Sequence, residues 1–407
     1  MKNIKFFDLY EKKRKNIDNQ NNYEFNLYLE SPTKKNQESK NILLLSIAED
    51  PNFPSYNTLF ALDVINNLIN NNCNITFITN NKNLNIKSLE KSVKVVFSKN
   101  YKEILDFLCE LNYSEFDCIM TTLSLYFDLT ILFIIANFYN PSKKYVVIDY
   151  DIDFPEIKIK KKYFKDKKIT IFAYNHGPII KKNRNELIDY QKFYEIYAKK
   201  IGIDIDLHYN SYPIQFNFID AAIKKNKNKE KLFEKDYFLI LGSGDRDFSI
   251  LENIDFDSFI NLNFIFLNTP EELDDINKKI LKKLKISHDN IIFLCHQKFS
   301  TFIDLIKKSR GVIIPTNQNN YFIGHIALFF SFALGKKILI SKNENMEDYK
   351  SWVTFIQRDK IEEQIKEIIN QPNSLYNPNM EKYFRENNDF DILFEDVVKF
   401  INQKNNN

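Results

Sequence analysis

Residues 237–247 read Tyr-Phe-Leu-Ile-Leu-Gly-Ser-Gly-Asp-Arg-Asp. The first five form an apolar run of strand length, and Gly242, Ser243 and Gly244 follow it as a strand-to-helix turn would. The chain holds only 7 glycines in 407 residues, so a pair two positions apart indicates a place where a side chain does not fit. A loop whose backbone N–H groups approach a phosphate is one such place, and an ordinary turn between a strand and a helix is the other.

Apolar runs of strand length alternate with amphipathic helical segments on both sides of this glycine pair. The alternation starts at 41–47 and continues to 337–340, and the charged stretch 224–231 interrupts it. Continuous apolar strands between helices predict parallel sheets with both faces covered, and 407 residues exceed what one compact domain usually holds. We therefore predict an α/β fold of two doubly wound, Rossmann-like domains that face each other across a cleft, with a closing helix over Phe390–Asn402.

The same pattern divides the chain into five segments. A polar N-terminal segment, an N-terminal Rossmann-like domain, a linker, a C-terminal domain, and a C-terminal helix with its tail are predicted over 1–40, 41–215, 216–234, 235–370 and 371–407. In sheets of this kind a ligand binds outside the carboxyl ends of the strands. The residues that follow each strand are therefore the candidates for a functional site.

Composition excludes several classes of protein. The formal net charge of +3 is too close to zero for a nucleic-acid surface, and the sequence has no His and Cys spacing typical of a metal site. The four cysteines form no CxxC pair and the N-terminus lacks the apolar core of a secretory signal, so we expect a cytoplasmic protein with reduced thiols. The apolar stretch 123–139 is too short to cross a bilayer. The basic run 12–15, near Phe6 and Phe7, is either a solvated segment or a peripheral contact with the inner face of a membrane.

Two motifs in the second half of the chain carry a resemblance to a known enzyme family. Residues 242–250, Gly-Ser-Gly-Asp-Arg-Asp-Phe-Ser-Ile, resemble the phosphate loop of family 4 glycosyltransferases, in which a glycine turn leads to an Arg-Asp pair. Pro315 after a predicted strand, and the helix predicted after Gly324 with Lys336 beyond it, look like the second motif of that family. The resemblance extends over about 235–350 and, in the first half, only to the general layout.

The resemblance implies a GT-B fold whose C-terminal domain binds a nucleotide-sugar donor and whose N-terminal domain binds the acceptor. It implies a glycosyltransferase of polysaccharide biosynthesis that moves a hexosyl or related group to a glycan or lipid-linked acceptor. Such enzymes stabilise the departing diphosphate without a metal, through helix N-termini and cationic side chains. We therefore expect no metal and no cofactor, with the nucleotide sugar as substrate.

The residues that this resemblance assigns to the donor follow the strands of the second domain. Arg246 is the candidate clamp for the diphosphate, because a guanidinium engages phosphate oxygens in pairs, and a surface ion pair with Asp245 or Asp247 is the alternative. Gly324 either opens a helix toward the phosphate, with His325 in contact with it or with the sugar, or permits close helix packing. The full predicted set is Gly242, Ser243, Gly244, Arg246, His296, Pro315, Gly324, His325 and Lys336.

The sequence also departs from the family at positions that bind the donor. Glutamates that hold the ribose and the sugar usually stand where this chain has Phe322 and Phe330. The lysine that often follows the phosphate-loop arginine is absent, since 249–251 read Ser-Ile-Leu. One hypothesis is a glycosyltransferase that holds its donor by other groups. Another is a catalytically inactive GT-B-like scaffold that binds a nucleotide, a glycan or a protein partner, and a nucleotide-sugar epimerase or hydrolase on the same fold is the third.

Acidic residues after a strand of the first domain are candidates for the general base that an inverting transferase needs. Asp149 and Asp151 follow one predicted strand, and His176 follows the next in a loop that would face the cleft. We predict these three as catalytic. Glu49 and Asp50, after the first strand, have a comparable claim, and a solvated loop is the alternative for the acids. Retaining and inverting chemistry both remain open.

Overall fold

The structure is a computed structural model of the 407-residue chain. It describes residues 39–47, 56–80, 93–98, 100–122, 127–149, 161–175, 179–183, 186–226, 233–242, 246–268, 290–294, 297, 299–317, 324–342, 344–371 and 376–403. The helix predicted over 271–284 and the basic run 12–15 lie outside these residues.

Residues 39–226 contain the elements of the first sheet and a hairpin. The strands are β1 (Lys40–Ser46), β2 (Cys73–Thr79), β3 (Val93–Phe97), β4 (Cys118–Thr122), β5 (Lys144–Asp149), β6 (Lys168–Asn175), β7 (Ile179–Asn183), β8 (Glu186–Asp189) and β9 (Asp204–Ser211). The helices are α1 (Tyr56–Asn70), α2 (Tyr101–Glu110), α3 (Phe127–Phe138), α4 (Tyr190–Ile201) and α5 (Phe216–Asn226).

Seven of these strands form one parallel sheet in the order β3-β2-β1-β4-β5-β6-β9, and β7 and β8 form an antiparallel pair. The central strand β1 shows why the sheet is parallel and covered: residues 42–45, Ile-Leu-Leu-Leu, are each at most 1% exposed, so neither face meets water. Buried polar side chains stand at the carboxyl ends of three adjacent strands, where Ser46, Thr79 and Thr122 occur.

Residues 233–403 contain the elements of the second sheet and the last helices. The strands are β10 (Asp236–Leu241), β11 (Leu262–Leu267), β12 (Ile291–Leu294), β13 (Gly311–Ile314), β14 (Ile338–Ile340) and β15 (Thr354–Phe355). The helices are α6 (Phe299–Lys308), α7 (His325–Ala333), α8 (Ile361–Asn370), α9 (Pro378–Asn388) and α10 (Phe390–Asn402). The six strands are parallel and lie in the order β12-β11-β10-β13-β14-β15.

The chain divides into two compact units. The first comprises Met1–Asn175, Gln191–Tyr212 and Leu393–Asn407, and it contains the seven-stranded sheet. The second comprises His176–Tyr190 and Pro213–Ile392, and it contains the six-stranded sheet. Most of α10 therefore belongs to the first unit, although it follows the second unit in the chain.

Lysine ammonium groups cap the C-termini of two helices, α10 and α3. Lys144 Nζ donates to the carbonyl oxygens of Ile401 at 3.0 Å and Gln403 at 2.6 Å, and also to that of Phe400, at the end of α10. Lys167 makes equivalent bonds at the end of α3. The last carbonyls of a helix have no partner within it and carry the negative end of its dipole, so a cation there stabilises the helix. Burial lowers the pKa of both lysines.

The predicted α/β architecture of two parallel sheets and the helix Phe390–Asn402 are confirmed. The helix predicted from Leu187 was wrong at its start, because Glu186–Asp189 pairs with β7 and the helix begins at Tyr190. The range 216–234, predicted as a linker, contains α5, since its apolar side chains at helical spacing are buried.

The predicted C-terminal tail contains one helix more than expected. The side chain of Asn377 accepts hydrogen bonds from the backbone N–H groups of Asn379 at 3.1 Å and Met380 at 3.2 Å, and this cap starts α9. Gly335, with φ of 58°, ends α7, and a Cβ there would lie 2.6 Å from the carbonyl oxygen of Asn377. Only glycine lets the two segments approach so closely. Among the described helices, none combines the length and apolarity that a membrane span requires.

Candidate functional site

The carboxyl ends of four adjacent strands in the second sheet bring several of the predicted donor residues together. The pairs Leu241↔Leu267 and Ile314↔Ile340, with Ile240↔Ile313 between them, fix the register of β11, β10, β13 and β14. The next residue on each strand therefore lies in one row across the sheet. That row consists of Asn268, Gly242, Pro315 and Ser341.

Gly242 makes space for the side chain of Arg246. Its φ is 130°, a region that side-chain-bearing residues rarely adopt. A Cβ at this position would lie only 2.5 Å from Arg246 Cζ. The glycine is therefore required both by the backbone angle and by the guanidinium that lies against it.

A second glycine bounds the same guanidinium. Gly324 has φ of 95°, and a Cβ there would lie 2.9 Å from Ile314 Cγ2 and 3.4 Å from Arg246 Nη2. Backbone pairing holds the arginine in place, because Arg246 forms an antiparallel bridge with Thr316 and Asp247 N donates to the Pro315 carbonyl at 2.9 Å. Two glycines with left-handed backbone angles, far apart in sequence, thus lie next to one arginine side chain.

Asp247, the proposed alternative partner of Arg246, is engaged by other groups. Its carboxylate forms an ion pair with Arg358 and accepts a hydrogen bond from the backbone N–H of Ser249 at 3.2 Å. The second bond caps the short helix Phe248–Asn253. The other alternative partner, Asp245, lies outside the described residues.

Helix α7 starts beside the guanidinium. Gly324 is its N-cap residue and His325, half-buried, is its first residue. The first intrahelical bond runs from Leu328 N to the Gly324 carbonyl at 3.0 Å, so the amides before it have no acceptor within the helix. With the dipole of a nine-residue helix behind them, these amides favour an anion at this end.

Lys336 lies at the opposite edge of the sheet from Arg246. It precedes β14, whereas the site follows the strands, and its Nζ donates to the carbonyl oxygen of Lys307 at the end of α6 at 3.1 Å. Burial, with the nearby charge of Arg310, lowers its pKa to about 7. The structure does not bring this predicted donor residue to the others.

Phe330 is part of the packing between two helices. It is 3% exposed, and its ring meets those of Phe299 and Phe302 edge-on at centroid distances of 5.6 and 5.7 Å. The position at which the family has a glutamate is therefore a core position between α7 and α6. The second such position, Phe322, lies outside the described residues.

Three buried polar side chains at this edge were not predicted. Asn268, Thr316 and Ser341 are 6%, 1% and 4% exposed. Asn268 Nδ2 donates to the carbonyl oxygen of Gly242, but Asn268 Oδ1, Thr316 Oγ1 and Ser341 Oγ have no hydrogen-bond partner among the described residues. The only sequence signal for them is that each directly or nearly follows an apolar strand.

Asp149 lies at the corresponding edge of the first sheet. It ends β5, is 2% exposed, and accepts a hydrogen bond from the phenol of Tyr194. The neighbouring strand β4 ends in Thr122, whose buried Oγ1 has no hydrogen-bond partner among the described residues. The predicted site residues Asp151, His176, Ser243, Gly244 and His296 lie outside the part of the chain that the structure describes. Within the described ranges no cluster of His, Cys, Asp and Glu suits a metal ion.

No family model and no curated protein matches this sequence. The fold matches solved structures over nearly the whole chain. A glycosyltransferase from Rickettsia africae is 10% identical with a TM-score of 0.59, covering 91% of this chain and 100% of its own. HepE of Anabaena in complex with UDP is 12% identical with a TM-score of 0.56, covering 88% and 99%. The UDP-GlcNAc 2-epimerase of Neisseria meningitidis, bound to UDP-GlcNAc, is 12% identical with a TM-score of 0.52, covering 88% and 98%. At these identities the likeness shows that the chain has the GT-B fold.

Proposed function

We propose that this protein is a glycosyltransferase that moves a hexosyl or related group from a nucleotide sugar to a glycan or lipid-linked acceptor. The observation that carries the proposal is the position of the Arg246 guanidinium, between Gly242 and Gly324 at the carboxyl edge of the second sheet. Two positive-φ glycines that border one cation, in a chain with 7 glycines, favour a built anion site over a surface arginine.

The chemistry of transfer explains the composition of this edge. When the bond between the sugar and the diphosphate breaks, negative charge grows on the departing phosphate oxygens. Arg246 and the first amides of α7 would stabilise that charge without a metal, since they are oriented before the reaction starts. The loop residues Ser243 and Gly244 and the Pro315 turn complete the proposed donor site, with His325 beside the phosphate or the sugar and His296 beside the base.

The solved structures of the same fold support the choice of donor. HepE was solved with UDP, with UDP-glucose, and with UDP and glucose, and the Neisseria epimerase with UDP-GlcNAc. We infer that this chain binds a nucleotide sugar in the same way, as a divergent relative of family 4. A role in polysaccharide biosynthesis, in the cytoplasm or at the inner face of a membrane, is part of the proposal.

For the acceptor we propose the carboxyl edge of the first sheet. Asp149 is the candidate general base there, with Asp151 and His176 as the other predicted catalytic residues. The phenol of Tyr194 donates to the Asp149 carboxylate, and this bond would fix the orientation of the carboxylate toward an acceptor hydroxyl.

The second candidate function is a GT-B-like scaffold that binds a nucleotide, a glycan or a protein partner without turnover. Phe330 favours it, because an aromatic ring packed between α7 and α6 supplies no acceptor for a ribose or sugar hydroxyl. The two candidates differ in whether nucleoside diphosphate is released.

Incubation with a panel of nucleotide sugars and a lipid and glycan extract tests the proposal, with released nucleoside diphosphate as the readout. We expect release by the natural protein and a loss of about 10²-fold in Arg246→Ala, the size of effect seen when one oriented charge-stabilising donor is removed. Arg310→Ala is the matched control, because Arg310 pairs with Asp236 at the opposite edge of the same sheet. Binding of nucleotide without any release would favour the scaffold, and full release by Arg246→Ala would contradict the site.

A further inference from the structure

Two buried hydroxyl groups at the carboxyl edge of the second sheet make no hydrogen bond among the described residues: that of Thr316, which is paired with Arg246, and that of Ser341, which follows β14. Thr316 and Ser341 are 1% and 4% exposed, and neither Thr316 Oγ1 nor Ser341 Oγ has a hydrogen-bond partner among the described residues. A buried hydroxyl that makes no hydrogen bond destabilises a fold. Such groups are therefore rare unless they serve a purpose other than folding.

Thr316 lies beside Arg246 where α7 begins, and Ser341 adjoins the same strand end at Ile314. Thr316 Cγ2 and Arg246 Nη2 are both 3.4 Å from the same point, the position of a Cβ on Gly324. Thr316 N donates to the Ile314 carbonyl at 3.0 Å, a tight turn at Pro315 that folds the threonine back onto the strand end. Ser341 N donates to the same carbonyl at 3.2 Å, so both residues are fixed by one peptide group.

Within 246–251 Arg246 is the one cation for a ligand with two phosphates, and the neighbouring Arg358 is paired with Asp247. The next positions supply no second cation, because 249–251 are Ser, Ile and Leu, and Ile250 and Leu251 are 2% and 0% exposed. Each hydroxyl, however, can donate a hydrogen bond to a phosphate oxygen.

We propose that Thr316 and Ser341 bind the second phosphate of the diphosphate through neutral hydrogen bonds, while Arg246 binds the first. The site then selects a diphosphate over a monophosphate by having two half-sites of different chemistry, one cationic and one hydroxylic. This inference rests on the proposed function, since it names the groups by which the same site holds its ligand.

The proposal predicts that removing a hydroxyl has opposite effects on the stability of the protein and on its affinity for pyrophosphate. Thr316→Val keeps the shape of the side chain and removes the unused hydroxyl, so the protein without ligand should melt at the same temperature or higher. The same change should weaken binding of pyrophosphate. Ser309→Ala is the matched control, because Ser309 is 0% exposed and its Oγ donates to the Ile306 carbonyl at 2.8 Å. It should lower the melting temperature and leave binding unchanged.

Calorimetric titration with pyrophosphate, orthophosphate and UDP tests the proposal on the natural protein, Thr316→Val, Ser341→Ala, Thr316→Ser and Ser309→Ala. We expect a preference for pyrophosphate over orthophosphate in the natural protein that falls roughly tenfold in Thr316→Val and in Ser341→Ala, the scale of one hydrogen bond to a charged group. Thr316→Ser, which retains a hydroxyl, should keep the preference and so separates loss of the group from loss of the fold.

The outcomes separate this inference from the proposed function. Unchanged preference in Thr316→Val and Ser341→Ala, with UDP still bound, overturns the hydroxyl site and leaves the donor site standing. A natural protein that binds pyrophosphate through these hydroxyls but not UDP supports the inference and overturns the proposed donor. A natural protein that binds neither overturns both.

Discussion

Gly242 and Gly324, which have no side chains, help to determine where the Arg246 guanidinium lies. Each adopts a left-handed backbone angle, and each borders the Arg246 guanidinium. A methyl group at Gly242 would overlap the guanidinium itself, whereas at Gly324 it would first meet Ile314. The position of the charge is therefore set by backbone geometry as much as by the arginine.

Gly242→Ala should abolish nucleotide binding without unfolding the protein. The new Cβ displaces Arg246, and the backbone angle costs about 1–3 kcal/mol of stability. Gly202→Ala is the matched control, because Gly202 also has a positive φ, of 78°, but lies in the first unit with Lys161 Cβ as its nearest neighbour. Both variants should lose stability in denaturant titration, and only Gly242→Ala should lose affinity for UDP. Equal affinity in the two would show that Arg246 is not placed by this glycine.

The sequence predicted part of this site and missed part for identifiable reasons. Scarce glycines beside a strand end indicated Gly242, Arg246 and Gly324, and the structure brings them together. Lys336 was predicted by its position after the helix, but nine helical residues rise about 13 Å and carry the chain to the other edge of the sheet. The hydroxyl of Thr316 was missed because a polar residue after a strand is common in loops, and burial is not visible in a sequence.

At the scale of elements, the C-termini of the helices are capped in two different ways. Gly202 and Gly335, both with positive φ, end α4 and α7 in a way that is common among helices. Lys144, Lys167 and Lys336 end α10, α3 and α6 by donating to their last carbonyls. A chain poor in glycine and rich in lysine thus satisfies the same backbone groups with side chains from other elements.

Lys144→Met should loosen the end of α10. The apolar stem is retained but three carbonyl oxygens lose their donor, so we expect a loss of about 1–3 kcal/mol. Hydrogen exchange should quicken in the last turn of α10. Lys143→Met is the control, since the neighbouring lysine donates only to the exposed Ser114 carbonyl. Unchanged exchange in Lys144→Met would mean that packing alone, such as that of Phe400, holds the helix.

The range of helix α5 was predicted as a linker because of its charged residues, but charged residues occur throughout this chain and do not mark linkers. Its last turn, Lys224 and Lys225, is basic and begins the polar stretch that suggested a boundary. The preceding Phe216, Ile219 and Ala222 are buried on one face at helical spacing. The hairpin of β7 and β8 was not predicted, because the sequence of β7, Ile-Ile-Lys-Lys-Asn, has no alternation of apolar and polar residues.

At the scale of the whole molecule, the two units should respond differently to ligand. Trp352, the one tryptophan in the sequence, belongs to the second unit, where it packs against Tyr383 at a centroid distance of 5.2 Å. Its fluorescence therefore reports the unfolding of that unit. A nucleoside diphosphate at ~100 times its dissociation constant should stabilise the second unit by ~2.7 kcal/mol.

We expect UDP to shift the denaturant midpoint of Trp352 fluorescence upward and to leave amide exchange in β1 and β4 unchanged. Orthophosphate at the same concentration is the control for ionic strength. An equal rise in protection of β1 and β4 would show instead that the ligand binds both units or that they unfold as one.

The Lys144 bonds to the end of α10 have a consequence for synthesis on the ribosome. Residues 40–149, five of the seven strands of the first sheet, emerge before any of the second unit. Their partner segment, Leu393–Asn407, emerges only after the second unit is complete. Domains usually fold as they emerge, but here a nascent first unit must wait until Leu393–Asn407 has been made, with part of its apolar surface open to chaperones. The unit made first is the last to be finished.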